Sequence, residues 1–455
     1  MAFERGQTNG EKFKAITRSN ISRTNEWSRL DSDLHEALNV VSTVLPFRTN
    51  AYVMRELIDW HHVPDDPMFQ LTFPQRGMLT EQHYETMAAL VKEGVPKHTI
   101  DQAANTIRYE LNPHPAGQMT HNVPTVHGEA LPGIQHKYRE TVLFFPSQGQ
   151  TCHAYCTFCF RWAQFVGLEN LKFSNRDHDL LIAYLKNQPD VTDVLFTGGD
   201  PMVMSTKHLR RHIEPLLAPE LEHIQTIRIG TKSVAYWPQR YVTDHDADDL
   251  MQLFEEVVAS GKHLTLMGHY SHPVELSTDV ARQAVRRVRA TGAQIRMQSP
   301  VVRHVNDDPD AWATLWRTGV RLGCVPYYMF VERDTGARNY FEIPLARAWD
   351  IFREAYRQVS GLARTVRGPS MSCFSGKVAV LGATESDGRK VFVLEYLQAR
   401  NPELVRRPFF ARFDPRAVWF DQLKPATPRD KPFFPAADAT TWRNASEHVA
   451  DHAIA

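Results

Sequence analysis

The chain has 455 residues, of which 42% are hydrophobic and 23% charged, and its 52 Lys and Arg residues balance 52 Asp and Glu residues. That length is too great for one ordinary hydrophobic core and predicts two or three domains. The zero net charge disfavours nucleic acid and anionic membranes as partners. No run of about 18 uncharged apolar residues occurs, and the opening MAFERGQTNGEKFK lacks the apolar region of a secretory signal, so we expect a cytoplasmic protein without a membrane span.

The sequence of residues 1–141 predicts a mainly helical region. Apolar residues recur at helical spacing from Leu30 and stop at Pro46. A second helix is expected from Thr80, a suitable N-cap, to Gly94, a suitable residue to follow a helix. The segment TIDQAANTIRYEL predicts a third helix, and the segment after it, rich in Pro, Gly and His, predicts a loop into the next domain.

Residues 142–362 change to an alternation of strand-like and helical patterns. Six strand–helix units in succession predict a parallel sheet. Because about eight such units close a full barrel, we expect an α/β fold with a partial (βα)6 barrel, and a flat doubly wound sheet is the alternative. The strand-like runs are VLFFP, DVLFTGG, IQTIRIG, HLTLMGH, QIRMQSPVV and VPYYMFV.

Residues 363–455 are expected to form a C-terminal α+β extension. The segment KVAVLGATESDGRKVFVLEY predicts an antiparallel hairpin because turn residues separate two apolar strand patterns. The tail beyond it is rich in Pro and Phe and is expected to wrap around the body of the protein.

Unusual residues follow each of the six predicted strands. Because active sites of parallel α/β sheets collect at the carboxyl ends of the strands, six such segments predict one shared active site. The segments are the cysteine-rich loop CHAYCTFC, then TGGDP, GTK, GHYSHP, QSPVVRHVND and VERD.

Three of the five cysteines, Cys152, Cys156 and Cys159, are spaced C-x3-C-x2-C. This clustering indicates a metal site in a reducing compartment more than a disulfide framework. Structural zinc usually takes four ligands in two separated pairs, whereas three cysteines in one loop suit a 4Fe-4S cluster with one iron open to a small molecule. Zinc completed by His153, or three buried thiols without a metal, are the alternatives.

The motif and its position after the first strand resemble the radical S-adenosylmethionine (radical SAM) superfamily. The resemblance implies that S-adenosyl-L-methionine binds the open iron and is cleaved to a 5′-deoxyadenosyl radical after one-electron reduction. Gly198, Gly199 and Asp200 resemble the superfamily's Gly-Gly-acidic motif, which holds the methionine amino group.

Further segments resemble landmarks of the lysine 2,3-aminomutase family. Over roughly residues 60–380 they are, in order, DPMFQLTFPQRGML, LPG, HKY, CHAYCTFCFR, VLFTGGDP, IRIGTK, PQR, GHYSHPVE, QSPVVRHVND and VPYY. The resemblance implies a radical SAM isomerase that uses pyridoxal 5′-phosphate and moves the amino group of a small amino-acid substrate from C2 to C3, giving a β-amino acid. It also implies an electron donor such as flavodoxin or ferredoxin, and a homo-oligomer.

Several residues acquire roles from this resemblance alone. Lys377 matches the lysine that binds pyridoxal 5′-phosphate as a Schiff base, and Tyr138 matches a tyrosine beside that cofactor. His269 and Gln298 match residues near S-adenosylmethionine. Arg161 matches the arginine that binds the substrate carboxylate, a task that suits its bidentate guanidinium.

The chain departs from the lysine enzymes at two positions. Those enzymes hold the distant ammonium of lysine with two aspartates, because a buried cation without a carboxylate is costly. Arg333 and Ser370 stand at the matching positions, which resembles the glutamate 2,3-aminomutase branch and favours glutamate or another non-lysine substrate. Glu332 and Asp334 flank Arg333, however, so a shift of one residue would restore an acid and a lysine substrate.

Other expectations concern metals and rival functions. The family's zinc-binding cysteines near the C-terminus are missing, so we expect no zinc, and Cys324 and Cys373 are interpreted as buried thiols. One alternative is a radical SAM aminomutase that modifies a lysine of a protein. Another is a metal-binding protein without catalytic activity.

Overall fold

The computed structural model describes residues 12–126, 128–176 and 178–434. The first residues of the region predicted for 1–141, and the last residues of the extension predicted for 363–455, lie outside the described residues.

Strands and helices alternate through the middle of the chain. The strands are β1 (Ala15–Thr17), β2 (Arg48–Asn50), β3 (Thr125–Val126), β4 (Glu129–Ala130), β5 (Ile134–Tyr138), β6 (Thr141–Phe144), β7 (Asp193–Phe196), β8 (Thr226–Thr231), β9 (His263–His269), β10 (Gln294–Val301), β11 (Val325–Val331), β12 (Arg367–Ser372), β13 (Gly376–Ser386), β14 (Arg389–Ala399) and β15 (Pro408–Arg412). The α-helices are α1 (Ser32–Val44), α2 (Pro67–Thr72), α3 (Glu81–Glu93), α4 (Lys97–Glu110), α5 (His178–Lys186), α6 (Thr206–Ile213), α7 (Ser233–Tyr236), α8 (Ala247–Ala259), α9 (Asp279–Ala290), α10 (Pro309–Leu322), α11 (Arg338–Phe341) and α12 (Leu345–Arg357).

An 11-stranded sheet contains β5 to β15 in the order of the sequence. Strands β6 to β12 are parallel to one another, and helices connect each to the next. The outer pairs, β5 with β6 and β12 through β15, are antiparallel. The predicted α/β class is confirmed, and the sheet runs without a break across both predicted domain boundaries.

The predicted N-terminal helices are present as α1, α3 and α4. Helix α3 begins after Thr80, whose Oγ1 accepts a hydrogen bond from the His83 amide at 3.2 Å. It ends at Gly94, whose φ of 65° is the left-handed conformation that favours glycine. The region also contains β1 to β5, which the helical pattern did not predict.

The C-terminal extension differs from the α+β prediction. In its described part, residues 363–434, there are strands β12 to β15 and short 3-10 turns but no α-helix. The predicted hairpin is β13 with β14. Beyond β14, Pro402 and Pro428 each begin a short 3-10 turn, and Pro432 within the second turn lacks the amide that a longer helix would need. Most phenylalanines of this tail join a second hydrophobic cluster with β13 and β14.

Among the described residues, every helix is too short or too polar to cross a bilayer.

Candidate active site

The cysteine loop follows β6 and is held by the N-terminal region. The backbone amide of Tyr155 donates to the Arg48 carbonyl at 2.8 Å, and that of Thr157 donates to the Leu71 carbonyl at 2.9 Å. The Thr157 hydroxyl donates to the Gln70 carbonyl at 2.8 Å. Residues 66–79, whose sequence resembles a family landmark, therefore contribute to the shape of the loop.

The three cysteines of this loop are each half-buried, and they lie close enough together to influence one another's ionisation. Burial, followed by the charges of Asp200 and the other two thiols, raises the pKa of Cys152 well above its usual value. Burial and Cys156 raise the pKa of Cys159 to about 12. A raised pKa means that forming the thiolate costs free energy. Iron would offset that cost because it displaces the thiol proton.

Within the described ranges, no group of His, Cys, Asp or Glu side chains is placed to hold a single metal ion. A 4Fe-4S cluster makes a different demand, because each cysteine binds its own iron and the sulfurs stand further apart than the ligands of one ion. Three half-buried thiols in one loop, whose thiolate forms would repel one another without bound iron, fit such a cluster.

The two glycines of the TGGDP segment allow it to pack against the cysteine loop. A Cβ atom on Gly199 would lie 2.5 Å from both the backbone nitrogen and the backbone oxygen of Thr151. Gly198 has a φ of 144°, and a Cβ there would lie 2.2 Å from Nε2 of Gln150. A side chain at position 199 would therefore displace the segment that leads into Cys152, whereas at position 198 the positive φ is what favours glycine.

The Asp200 carboxylate is occupied by protein donors. It accepts from the Met202 amide at 2.9 Å, the Lys232 amide at 2.8 Å and the Ser233 amide at 3.0 Å. The Thr231 hydroxyl donates to it as well, at 2.7 Å. Since a carboxylate has about four acceptor positions, Asp200 ties the loop after β7 to the loop after β8.

Beside the cysteine loop lies a buried ion pair that the sequence did not predict. Lys232 Nζ lies 2.6 Å from Glu275 Oε1 and 4.6 Å from the centre of the Tyr236 ring. The Tyr236 hydroxyl lies 3.3 Å from Sγ of Cys156. The segment GTKSVAY contains both Lys232 and Tyr236, but nothing in its pattern indicates a contact with a cysteine.

His269 and Gln298 lie side by side at the carboxyl ends of β9 and β10, and Tyr328 of β11 is next to Gln298. Residues in register on neighbouring strands share a face of the sheet, so these three side chains point the same way. His269 Nε2 is 3.2 Å from the Ser299 hydroxyl. Burial, and then the charge of Lys232, lowers the pKa of His269 well below its usual value, so the imidazole is neutral.

Lys377 lies over this same part of the sheet. Its Nζ is 4.1 Å from the centre of the Tyr328 ring and 5.4 Å from that of Phe330. Burial and nearby cations lower the pKa of Lys377 to about 7, so that much of the amine is neutral and nucleophilic near neutral pH. Those cations are Arg228, Arg367 and Arg333.

Ser370 lies on the same face as Lys377. Lys377 is opposite Ser372 in the antiparallel pair of β12 and β13, and Ser370 is opposite Ala379. Residues two apart on a strand share a face, so Ser370, Ser372 and Lys377 point the same way. The Ser370 side chain is fully buried, and its hydroxyl has no hydrogen-bond partner in the described structure.

Arg161 lies just after the last cysteine of the loop and Arg333 lies just after β11, yet both reach Phe160. The guanidinium carbon of Arg161 is 5.4 Å from the centre of that ring, and that of Arg333 is 5.0 Å away. Burial and the charge of Arg333 lower the pKa of Arg161 to about 9. Each arginine has a buried Nε without a hydrogen-bond partner among the described residues.

The two acids that flank Arg333 lie in different surroundings. Burial, followed by the charge of Glu342, raises the pKa of Glu332 well above its usual value, and the charge of Arg338 opposes this shift. Asp334 accepts from the Asn112 side chain at 3.3 Å, and its charge acts on Arg333. Arg333 itself lies near Tyr138 and Cys373, in the neighbourhood of Lys377.

The sequence also missed a second buried lysine in this site. Lys137 Nζ donates to the Cys373 carbonyl and lies 5.4 Å from the centre of the Tyr138 ring. Burial, followed by the charges of Arg400 and Arg333, lowers its pKa well below the usual value. Lys137 belongs to the landmark HKY. The contact of Lys137 with the C-terminal extension depends on tertiary packing, which the local sequence pattern does not show. Cys324 and Cys373 are buried, as predicted.

The predicted site residues therefore fall into two adjoining groups. The cysteines, the two glycines and Asp200 form one, beside His269 and Gln298. The other is rich in cations and contains Lys377, Tyr138, Arg161, Arg333 and Ser370.

No protein-family model matches the chain. A provisionally named L-lysine 2,3-aminomutase of Aquifex aeolicus is 31% identical over 384 residues, which cover 84% of this chain and 89% of that protein. The L-lysine 2,3-aminomutase of Escherichia coli is 29% identical over 52% of this chain and 67% of its own length. That of Bacillus subtilis is 26% identical over 51% of this chain and 46% of its own length.

Among solved structures, a radical SAM methyltransferase from Sphaerobacter thermophilus is 17% identical, covers 64% of this chain and 94% of its own, and has a TM-score of 0.38. At that TM-score the likeness is too low to support a conclusion about fold or chemistry.

Proposed function

The chain belongs to the lysine 2,3-aminomutase family of isomerases, and we propose that it is a radical SAM, pyridoxal-phosphate-dependent 2,3-aminomutase for an anionic L-α-amino acid. Glutamate is the substrate that best fits the site. We further propose that β6 to β11 and their helices curve into a partial barrel whose mouth holds this site.

The side chains of the site support the proposal of an iron–sulfur cluster and of pyridoxal 5′-phosphate as cofactors. The three thiols suit a 4Fe-4S cluster, and a buried lysine with a pKa of about 7 suits attachment of pyridoxal 5′-phosphate. When bound, the cofactors supply a radical that takes a hydrogen atom from the substrate's C3 and a pyridine ring that assists nitrogen migration from C2 to C3. The protein holds the reacting carbon in place and excludes water from the radical.

The observation that carries the substrate assignment is the position of Arg333 beside Lys377 and Arg161. A lysine substrate would bring its ammonium to a place that already holds the half-buried guanidinium of Arg333, and like charges repel more strongly where water is scarce. A distal carboxylate would instead pair with Arg333 and accept from the free Ser370 hydroxyl, while Arg161 binds the α-carboxylate. Each unpaired Nε would then be satisfied.

The test is an anaerobic reaction of reconstituted protein with reductant, S-adenosylmethionine, pyridoxal 5′-phosphate and 15N-labelled L-glutamate. The expected product is 15N-labelled β-glutamate, which disappears when any cofactor is omitted and in Lys377→Ala. A product that forms equally well in Lys377→Ala would contradict the proposal.

The names of the relatives favour L-lysine as a second candidate substrate. Asp334, the acid that acts on Arg333, is the residue that would pair with its ammonium. Free L-lysine and a lysine-containing protein extract are therefore included in the same reactions, and β-lysine or a modified protein as the main product would replace glutamate in the proposal.

A further inference from the structure

The Tyr236 hydroxyl is aimed at one of the three cysteines. It lies 3.3 Å from Sγ of Cys156, within the range of a hydrogen bond to sulfur. Tyr236 is the last residue of α7, and its side chain is buried, with a relative exposure of 1%. The Asn50 side chain donates to its carbonyl at 3.0 Å, which ties this residue to the region that also holds the cysteine loop.

The direction of this hydrogen bond follows from the chemistry of the ligand. An iron-bound cysteine sulfur has lost its proton and can only accept, so the phenol must donate. The ring is held in place from one side by Lys232, whose Nζ lies 4.6 Å from the ring centre and 2.6 Å from Glu275 Oε1. A donor fixed in this way keeps its contact with the sulfur in both oxidation states.

We propose that Tyr236 is a positioning residue that acts through Cys156: its hydroxyl donates to the cysteine sulfur and raises the reduction potential of the cluster. Reduction adds one electron, supplied by a low-potential donor, and makes the cluster and its thiolates more negative. A hydrogen bond to the sulfur stabilises the more negative state, so the cluster is easier to reduce. This inference rests on the proposed cluster.

The first test compares Tyr236→Phe with the unchanged protein in a redox titration. The reduced fraction of the cluster is measured at each potential by electron paramagnetic resonance. Removing only the hydroxyl should lower the midpoint potential and make reduction about tenfold less favourable, which is about 59 mV for a one-electron couple. Tyr52→Phe is the matched control, because the Tyr52 hydroxyl is buried against Thr278 Oγ1 at 2.7 Å and contacts no described cysteine. Its potential should be unchanged.

A second variant tests the sign of the effect. Site-specific 3-fluorotyrosine at position 236 keeps the hydroxyl but makes it more acidic and a stronger donor, so the potential should rise above that of the unchanged protein. Equal potentials in all the proteins, or equal shifts in Tyr236→Phe and Tyr52→Phe, would overturn the role of Tyr236. Unchanged protein that binds no iron and sulfide would instead overturn the proposed cluster and the function that depends on it.

Discussion

Arg161 and Arg333 both hold their guanidinium groups against one ring, that of Phe160, at 5.4 Å and 5.0 Å from its centre. Among the described residues neither arginine forms a salt bridge to a carboxylate within 4.0 Å, although the charge of Asp334 acts on Arg333. Arg161 is buried and Arg333 is half-buried, so the two cations repel each other with little screening by water, and a ligand with two carboxylates would relieve that repulsion. This relationship underlies the substrate assignment.

Arg333→Ala should reduce kcat/KM for the anionic substrate about 10- to 150-fold, because a hydrogen bond to a charged group contributes about 1.5–3 kcal/mol. Arg333→Lys keeps the charge but loses the planar fork, and we expect an intermediate loss. Arg357→Ala, in an exposed part of α12, is the control and should leave kcat/KM unchanged. Equal rates for Arg333→Ala and the control would contradict the role of Arg333.

The attachment of pyridoxal 5′-phosphate should depend on pH with a midpoint near 7. Because burial and nearby arginines lower the pKa of Lys377 from 10.5 to about 7, the neutral amine appears as the pH rises through that value. The adduct absorbance should therefore develop between about pH 6 and pH 8, well below the range of an ordinary lysine near 10.4. Lys377→Ala should show no adduct, and Lys390→Ala, which changes an exposed lysine, should retain it.

Gly199→Ala should reduce the iron content of the reconstituted protein. The new Cβ would meet backbone atoms of Thr151 at 2.5 Å, and backbone cannot move aside as a flexible side chain can. The cysteine loop should shift and bind the cluster poorly. Gly361→Ala is the matched control, since a Cβ there meets nothing within 4 Å. Iron and sulfide analysis checks the prediction, and full occupancy in Gly199→Ala would count against it.

Lys232→Met should lower the free energy of unfolding of the cofactor-free protein by about 3–5 kcal/mol, because it leaves Glu275 buried without its partner. Lys97→Met removes an exposed partner of Asp101 on α4 and should cost only about 0.3–0.5 kcal/mol. Denaturant titrations measure both values. Similar losses in the two variants would show that the buried pair contributes no more than a surface pair.

Where local signals decide the structure, the sequence predicted it well. Thr80 and Gly94 fixed the ends of α3, because both caps act within a few residues. The strand-like runs of residues 142–362 correspond to β6 to β11. These runs are recognisable because strands buried in a parallel sheet are apolar. The predicted loop residues consequently gather at one end of the sheet.

The features that the sequence did not predict depend on contacts between distant segments. Strand β5 lies in a segment without a clear strand pattern and exists because it pairs with β6. Tyr236 approaches Cys156 across 80 residues of chain, and Lys137 reaches Cys373 across 236. The Arg333 guanidinium reaches β12, where it donates to the Ser372 carbonyl at 2.8 Å across 39 residues of chain.

Arg333 and Ser370 should select a substrate with a distal carboxylate, and competition between two amino acids measures that selectivity. Reduced, fully reconstituted protein is given equal concentrations of L-glutamate and L-lysine with S-adenosylmethionine and pyridoxal 5′-phosphate, and both β-amino acids are quantified over the initial phase. We expect β-glutamate to form and β-lysine to be at least tenfold less abundant. A preference for β-lysine would contradict the assignment of Arg333 and Ser370 as the residues that bind a distal carboxylate.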